Sequence, residues 1–300
     1  MKLLLTGSSG LIGSALMPAL RVDGHTIVRL VRGSPGRDAA RWNPDEGVID
    51  RGALADVDAV IHLAGESIAS GRWTPARKAR ILDSRVQGTG LLAHALSTLE
   101  HKPRIFLSAS AVGFYGDRGD AVLDETSPQG RGFLADVCAD WEDATRPAAD
   151  AGIRVVTMRT GVVLSGAGGA LQKMLTSFRL GVGGVLGAGT QYMSWIAVDD
   201  VVGAIQHLLV AAPGAGPINL VAPNPVTNRA FTKTLGNVLS RPTLLGVPGF
   251  ALRLALGEMA DEMVLTSTRA HPALLLASGY RFRYPDLEDA LRHVLERERD

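Results

Sequence analysis

The sequence predicts an α/β protein built on a doubly wound parallel sheet, with a smaller C-terminal lobe interleaved with it. The first observation is the apolar run Lys2 to Thr6, which predicts a buried strand and leads through closely spaced glycines into an apolar helical face. The second is the rest of the chain, where short apolar runs alternate with helical patterns. Because no low-complexity linker separates the two parts, we expect them to be interleaved along the chain.

Three glycines stand at three-residue spacing between the first predicted strand and the first predicted helix, at Gly7, Gly10 and Gly13. Gly7 can make the turn out of the strand, Gly10 has no side chain to hold off a pyrophosphate, and Gly13 lets the helix pack closely on the strand. The helix, with Leu11 and Ile12 in its first turn, then directs free N–H groups at the phosphates. The sequence therefore predicts dinucleotide binding; the alternative is a glycine-rich turn without a ligand.

The spacing Gly-x-x-Gly-x-x-Gly resembles the extended branch of the short-chain dehydrogenase/reductase superfamily, which implies a Rossmann domain holding a nicotinamide cofactor. The second predicted strand, Thr26 to Val31, ends at Arg32, where NAD-preferring enzymes usually carry an acid for the ribose 2′-hydroxyl. An arginine there accommodates a 2′-phosphate, so Arg32 predicts NADP; the alternative is an ordinary surface arginine. Residues 33–58 are expected to form a loop with one short element.

Composition indicates an ordinary globular protein. The chain has 300 residues, 46% of them hydrophobic and 20% charged, and a net charge of +1. This balance gives no reason to expect nucleic acid or an anionic membrane as a partner. The single cysteine, Cys138, excludes an internal disulfide and a zinc cluster, so no metal is expected. Without a signal-peptide pattern or an apolar run of membrane length, we expect a cytoplasmic protein.

The next predicted strand, 58–65, lies beside the first strand and ends in small residues. Leu63, Ala64 and Gly65 would let the backbone approach a ligand, and this run resembles the extended-family segment that lines the adenosine and the pyrophosphate. His62 is expected to be a packed strand histidine, with a catalytic role as the alternative. This strand end is therefore predicted to contribute to the cofactor site.

A helix is expected to begin after Thr74, which can cap it, with Pro75 in the first turn. Arg85 precedes a long apolar helix over Val86 to Leu99, whose start passes near the cofactor in this superfamily. The resemblance makes Arg85 a candidate for binding the phosphate or the ribose. The other basic residues of this segment are interpreted as a solvated face.

The fourth predicted strand, 104–108, leads into small and hydroxyl-bearing residues. Ser108 ends this strand and is a candidate cofactor contact. The exit resembles the family's catalytic-serine segment, which is commonly followed by Tyr-Gly, and Ser110 is the best match to the catalytic serine or threonine. Tyr115 is the second catalytic candidate, which could face the pocket or simply pack.

The following helix lacks the pair that usually handles the proton. Short-chain dehydrogenases carry Tyr-x-x-x-Lys there, and the lysine lowers the pKa of the tyrosine that exchanges a proton with the substrate. Phe133 and Val137 hold these places by position, and no tyrosine of the chain has a lysine four residues later. Ser110 then ranks first as donor to the substrate oxygen, while Glu66 and Asp124 are loop carboxylates whose pKa burial could raise.

The second half of the chain returns to the sheet and then forms the C-terminal lobe. Strands at 153–159 and 217–221 are expected to extend the sheet. The glycine-rich residues 181–189 are either a substrate loop or a plain connection. The remaining expected elements are helices at 170–180, 199–211, 227–239, 251–265 and 287–295 and a short strand at 280–283.

Matching segments spread over the whole chain resemble the atypical extended short-chain dehydrogenases called epimerase family proteins, which are related to nucleoside-diphosphate-sugar epimerases. Residues 256–261 and 279–287 resemble the C-terminal domain of unknown function that marks this group. We expect a dinucleotide-binding domain over 1–225, with 165–196 contributing to the second lobe, and a substrate-side lobe over 226–300.

Two functions remain open from the sequence. The first is an NADP-dependent oxidoreductase or epimerase that acts on a small substrate, which the resemblance suggests is nucleotide-linked. The second is a non-catalytic NADP-binding protein that reports cofactor state to a partner. The missing tyrosine and lysine favour the second function. The fully formed second lobe, superfluous for cofactor sensing alone, favours the first.

Overall fold

The computed structural model describes residues 1–211 and 214–296 and confirms the predicted α/β class; the last residues of the expected C-terminal lobe, 297–300, lie outside the described part. The strands are β1 Lys2–Thr6, β2 Thr26–Val31, β3 Ala39–Asn43, β4 Val48–Ile49, β5 Ala59–His62, β6 Ile105–Ala111, β7 Val122–Leu123, β8 Arg154–Thr160, β9 Val162–Leu164, β10 Gly184–Leu186, β11 Tyr192–Met193, β12 Trp195–Ala197, β13 Gly216–Leu220, β14 Val226–Thr227, β15 Leu245–Val247 and β16 Arg269–Ala270. The helices are α1 Leu11–Val22, α2 Pro75–Ser97, α3 Phe133–Asp143, α4 Arg146–Asp150, α5 Gly169–Arg179, α6 Val198–Val210, α7 Asn228–Val238, α8 Gly249–Leu256, α9 Ala273–Ala277 and α10 Leu287–Glu296.

The main sheet has eight strands in the order β13-β8-β6-β5-β1-β2-β3-β4. The pairs β1–β2, β1–β5, β2–β3 and β5–β6 are parallel, and the edge strand β4 runs antiparallel to β3. Leu3, Leu4 and Leu5 of β1 are fully buried, as expected for a central strand covered on both faces. Strand order proceeds outward from β1 in both directions, so the sheet is doubly wound and a topological switch point lies between β1 and β5.

Three polar residues lie side by side across the middle of the sheet. Thr6 of β1 is in register with His62 of β5, which is in register with Ser108 of β6. Because these strands are parallel, the segments that follow the three residues emerge at the same edge of the sheet. The register therefore places the glycine turn, residues 63–65 and Ser110 at the carboxyl edge, where ligands of such sheets bind.

Strands β3 and β4 correct the expectation of a loop over residues 33–58. Ala40 and Trp42 are buried and Arg41 between them is exposed, an alternation that lets β3 join the sheet beside β2. The sequence pattern missed this strand because it is only five residues long.

Helix α2 is a single helix of 23 residues where two helical segments were expected. The Thr74 hydroxyl accepts the N–H of Arg77 and Pro75 stands in the first turn, which confirms the predicted start. No proline follows within the helix, so its hydrogen-bond ladder continues. Gly88 contributes to packing, since a Cβ there would lie 3.2 Å from the Trp42 ring.

The expected strand at 280–283 does not form. The Tyr280 hydroxyl and the backbone N–H groups of Arg283 and Tyr284 donate to the buried Asp200 carboxylate at 3.0, 2.7 and 2.9 Å. The Arg283 and Tyr284 N–H groups donate to Asp200, so they are not available to pair with a neighbouring strand. Within 181–189, by contrast, three residues form β10, which pairs in parallel with β15.

The chain forms two compact units that share it in alternating segments. Unit 1 comprises Met1–Ser110, Val137–Arg159 and Val202–Ile218, and unit 2 comprises Ala111–Asp136, Thr160–Val201 and Asn219–Asp300. The core of unit 2 is built from α5, α7 and α10 around Trp195 and Phe231. The division differs from the boundary expected at 225 because residues 111–136 and 160–201 pack with the C-terminal segment.

No helix of the described residues is both long enough and apolar enough to cross a membrane. Within 1–211 and 214–296, no group of three His, Cys, Asp or Glu side chains is arranged to hold a metal ion. The single cysteine, Cys138, is buried.

Candidate functional site

Gly7 and Gly13 are glycines because the protein packs against itself at both positions. Gly7 has a φ of +68°, and a Cβ there would lie 2.7 Å from the carbonyl carbon of Leu63. A Cβ at Gly13 would lie 2.2 Å from the carbonyl oxygen of Gly7. The first turn of helix α1 therefore packs on the glycine turn, and the end of β5 contacts the same turn.

Gly10 differs from the other two because it is exposed and less crowded by the protein itself. It is exposed, with φ −77° and ψ 173°, and among the described residues a Cβ there would have one neighbour within 4 Å, the Gly7 carbonyl oxygen at 3.3 Å. Internal packing therefore restricts this position much less than it restricts Gly7 and Gly13. The missing side chain instead leaves the start of α1 open to a ligand.

The N-terminus of α1 is suited to an anion. Gly10 caps the helix without a side-chain hydrogen bond, and the first turn carries no acidic residue. The N–H groups of Leu11, Ile12 and Gly13 have no partner within the helix, and the positive end of the helix dipole lies with them. This arrangement fits a pyrophosphate at the position that the sequence predicted.

A buried chain of hydrogen bonds holds the end of β5 beside β1. Thr6 Oγ1 accepts the N–H groups of Leu63 and Ala64 at 3.1 and 3.2 Å, so its own proton goes to His62 Nδ1, 2.7 Å away. His62 Nε2 then donates to Thr89 Oγ1 at 3.0 Å. Burial lowers the pKa of His62 to about 4, which leaves the ring neutral at physiological pH. His62 is therefore a packed strand histidine, the expected alternative to a catalyst.

Arg85 lies beside the segment that follows β5. Its Cζ is 4.9 Å from the Trp141 ring centroid, and its Nη1 donates to the Ile81 carbonyl at 2.9 Å. A Cβ at Gly65 would lie 3.5 Å from Arg85 Cζ, so the structure brings these two predicted residues together. Burial lowers the pKa of Arg85 while nearby acidic groups oppose the shift, and the guanidinium stays charged at neutral pH.

Arg32 is exposed just beyond β2, two residues after Leu30, which is in register with Thr6. It has no hydrogen bond or ion pair to a described residue. Because β2 and β1 are parallel neighbours, Arg32 emerges at the edge that also carries the glycine turn. Its guanidinium is therefore available to a ligand at that edge.

Ser110 is tied to a buried ion pair. Its Oγ donates to Glu142 Oε1 at 2.6 Å, and Arg159 Nε and Nη2 each donate to a Glu142 carboxylate oxygen at 2.8 Å. The Arg159 and Glu142 side chains are 5% and 14% exposed. No pattern in the sequence relates the two residues, because Glu142 lies on α3 and Arg159 on β8. The expectation that Ser110 donates to a substrate oxygen is corrected, because its single proton is held by Glu142 and only acceptor positions remain.

Tyr115 is not at a binding surface. The 3₁₀ turn after β6 directs its ring into the core of unit 2 against Leu123 and Val221, where it is fully buried. Its hydroxyl donates to Asn219 Oδ1 at 2.7 Å. The prediction of Tyr115 as a catalytic residue is therefore wrong, and the alternative that it packs is correct.

Three more predicted residues are engaged within the protein. Ser108 is fully buried in β6 and presents no surface to a cofactor, so the expectation that it contacts the cofactor is corrected. Glu66 forms an ion pair with Arg77. Hydrogen bonds from Thr126 hold the pKa of Asp124 below its usual range, opposite to the rise that a general acid would need.

The N-terminus of α3 is capped by the Glu262 carboxylate, which the sequence did not suggest. Glu262 Oε1 and Oε2 accept the N–H groups of Phe133 and Leu134 at 3.1 and 3.0 Å. Val137 is buried. The places of the usual tyrosine and lysine thus hold apolar side chains, and neither can exchange a proton.

The doubly wound parallel sheet, with an open glycine turn and an uncapped helix start at its switch point, defines a dinucleotide-binding protein of the extended short-chain dehydrogenase type. The chain belongs to the NAD dependent epimerase/dehydratase family, whose model matches residues 3–220. The model of a domain of unknown function, DUF1731, matches residues 247–294. Both matches agree with the resemblance seen in the sequence.

Relatives and solved structures support this assignment. The chain is 47% identical to the epimerase family protein Mb2239 of Mycobacterium bovis, covering 98% of this chain and 97% of the relative. The crystal structure of the human epimerase family protein SDR39U1 (isoform 2) with NADPH is similar at a TM-score of 0.91 and 34% identity, covering 99% of each chain. A nucleoside-diphosphate sugar epimerase from Corynebacterium glutamicum is similar at a TM-score of 0.82 and 40% identity, covering 98% of this chain and 58% of that one.

Proposed function

We propose that this protein binds NADP(H) at the carboxyl edge of its parallel sheet. The observation that carries the proposal is Gly10, which is exposed and has no side chain at the uncapped start of α1. The N–H groups of this helix start would hold the pyrophosphate. The structurally similar human protein was crystallised with NADPH, which supports the same cofactor here.

The charged residues around this edge fit the phosphorylated form of the cofactor. Arg32 is exposed and without a partner among the described residues, so it would bind the 2′-phosphate. Arg85 is held beside Gly65 by Trp141 and would bind a second phosphate or the ribose. Leu63, Ala64 and Gly65 would contribute backbone contacts. Bound NADP(H) would supply the capacity to donate or accept a hydride.

We further propose that the protein is an oxidoreductase or epimerase acting on a small, nucleotide-linked molecule. The name of the similar Corynebacterium protein, a nucleoside-diphosphate sugar epimerase, and the family match support this substrate class. Catalysis would then proceed without the usual tyrosine and lysine. Their places are apolar, and Ser110 can accept but not donate a hydrogen bond toward a ligand while Glu142 holds its proton.

A second function, NADP(H) binding without catalysis, is favoured by one specific observation. Each of the four groups predicted to replace the tyrosine is engaged elsewhere: the Ser110 proton by Glu142, Tyr115 by Asn219, Glu66 by Arg77 and Asp124 by Thr126. Such a protein would report the cofactor state to a partner.

A cytoplasmic location remains a prediction, which a single cysteine supports.

Calorimetric titration with NADPH tests the cofactor proposal. Gly10→Val should weaken NADPH binding at least about tenfold, because the new side chain would occupy the phosphate position at the helix start. Gly36→Val is the matched control, since a Cβ at Gly36 has open space in an exposed loop. Equal affinity in wild type and Gly10→Val would contradict the proposal.

Screening for turnover separates the two functions. Wild-type protein is incubated with NADPH or NADP and a panel of nucleoside-diphosphate sugars, and cofactor absorbance and epimer composition are followed. Turnover supports the enzyme. Tight NADPH binding with no turnover across the panel favours the binding-only function.

A further inference from the structure

An open pocket of about 630 Å³ lies entirely within unit 2. Three segments line it: residues 117–120 after the 3₁₀ turn, residues 187–191 after β10, and residues 248–267 around α8. The first two segments are loops whose backbone turns at glycines of positive φ, Gly119 and Gly187. The pocket contains none of the residues proposed to bind NADP(H).

Gln191 gives the pocket a fixed hydrogen-bond acceptor. Gln191 is 7% exposed. Its Nε2 donates to the carbonyl oxygens of Leu186 and Val264 at 2.9 and 3.1 Å. Both amide protons are thereby used, so the orientation of the amide is set. Among the described residues Oε1 has no partner, and Gln191 lines the pocket. An unpartnered acceptor on a largely buried side chain suits a donor supplied by a ligand.

Arg253 gives the pocket its donors. Its Nε donates to the two carboxylate oxygens of Asp261 at 2.9 and 3.2 Å, which leaves Nη1 and Nη2 without partners among the described residues. A Cβ at Gly249 would lie 3.5 Å from Nη1, so the guanidinium lies over the first turn of α8. Pro248 caps that helix without a side-chain hydrogen bond. Two parallel N–H groups of a guanidinium fit one carboxylate.

Two carboxylates complete the lining. Asp117 Oδ1 accepts the N–H of Gly119 at 3.0 Å, and Asp120 makes no side-chain hydrogen bond among the described residues. With Arg253 as the cation, the lining side chains carry a net charge of −1, and Asp261 beside Arg253 adds a further negative charge. This field repels a diphosphate. It favours ligand hydroxyl groups, which donate to carboxylates and to the Gln191 oxygen.

We propose that this pocket is a binding site for a polyhydroxylated ligand with a single carboxylate, a sugar acid. Arg253 binds the carboxylate through Nη1 and Nη2, while Gln191 Oε1 and the Asp117 and Asp120 carboxylates accept the hydroxyl protons. A single negative charge can pair with Arg253, whereas the two or more charges of a nucleoside diphosphate would face the three surrounding carboxylates. The assignment concerns unit 2 alone and does not depend on NADP(H) binding.

Titration of the full-length protein with D-glucuronate as the probe, followed by NMR chemical-shift changes, tests this site. Glucuronate should saturate with a dissociation constant on the order of 1 mM, as expected for a ligand of this size. D-Glucose should bind about tenfold more weakly because it lacks the carboxylate. UDP should leave the signals of Gln191 and Gly249 unchanged.

Variants locate the binding. Arg253→Met should weaken glucuronate binding about tenfold and leave glucose binding unchanged. The Asp120 side chain makes no hydrogen bond to another described residue, so Asp120→Asn should leave the fold intact. It should weaken the binding of both glucuronate and glucose. Arg241→Met is the control, an exposed arginine outside the pocket, and NADPH affinity should stay at the wild-type value in all three variants. Absence of saturable glucuronate binding, equal affinity in Arg253→Met, or tighter binding of UDP than of glucuronate would overturn the proposal.

Discussion

Ser110 Oγ donates its proton to Glu142 Oε1 at 2.6 Å, and Arg159 holds the same carboxylate through two further hydrogen bonds. A serine hydroxyl has one proton, so Ser110 presents only acceptor lone pairs to any neighbouring ligand. The family's usual serine role, as donor to a substrate oxygen, is therefore not available while Glu142 is ionised. The ion pair of Glu142 and Arg159 therefore determines whether Ser110, the first catalytic candidate, can donate a hydrogen bond.

This relationship predicts a large effect on stability. Glu142→Gln should lower the free energy of unfolding by about 3 kcal/mol, because it leaves the Arg159 charge buried without its counter-charge. Ser110→Ala should lower it by about 1.5–3 kcal/mol, the range for a hydrogen bond to a charged group. Chemical denaturation measures both. Asp143→Asn, one residue further along α3, is the control, since its exposed pair with Arg146 should contribute less than about 1 kcal/mol. Equal stability in Glu142→Gln and Asp143→Asn would show that the pair is structurally unimportant.

Substitutions at Gly13 and Gly10 should change the free energy of unfolding by different amounts. Gly13→Ala should destabilise the protein by about 2 kcal/mol or more, because its Cβ would lie 2.2 Å from the Gly7 carbonyl oxygen. Gly10→Ala should destabilise it by about 1 kcal/mol or less, since a Cβ there would meet a single atom, the Gly7 carbonyl oxygen, at 3.3 Å. Thermal and chemical unfolding distinguish the two. A similar loss of stability in both variants would indicate that Gly10 is also a packing glycine.

Arg32 should determine the cofactor preference. A charge-assisted hydrogen bond to the 2′-phosphate contributes about 1.5–3 kcal/mol, which corresponds to a preference of roughly tenfold or more for NADPH over NADH. Arg32→Ala should remove most of that preference and leave NADH affinity unchanged. Calorimetric titration at two salt concentrations measures it. If wild type binds both cofactors equally, or Arg32→Ala keeps the preference, Arg32 is an ordinary surface arginine.

His62 should make stability depend on pH. Its pKa is lowered from 6.5 to about 4 by burial, so the unfolded chain binds a proton more readily than the folded protein. The stabilisation from the neutral ring is fully present above pH 6.5 and is lost as the pH falls toward 4, a change on the order of 3 kcal/mol. Unfolding free energies measured between pH 7 and pH 4.5 should fall less steeply in His62→Asn than in wild type. The exposed His101→Gln should retain the wild-type slope, and an unchanged slope in His62→Asn would exclude His62 as the source.

The sequence by itself determined the class of fold and the place of the proposed cofactor site. Lys2–Thr6 is apolar throughout because a central strand is covered on both faces, and Gly7, Gly10 and Gly13 follow at once, so these local features identify the site without tertiary information. The absence of Tyr-x-x-x-Lys is equally local. Short elements were missed: β3 has five residues, too few for its alternation to stand out from the surrounding loop.

Only the tertiary structure decided what the individual polar side chains do. Ser110 and Glu142 are 32 residues apart, and Glu262 closes a helix that begins 129 residues earlier, so no local pattern relates them. Whether Tyr115 faces a ligand or the core depends on a 3₁₀ turn that directs its ring into unit 2. A hydroxyl or carboxylate has the same residue type whether it is exposed or engaged, and its chemistry is set by the partners that folding brings to it.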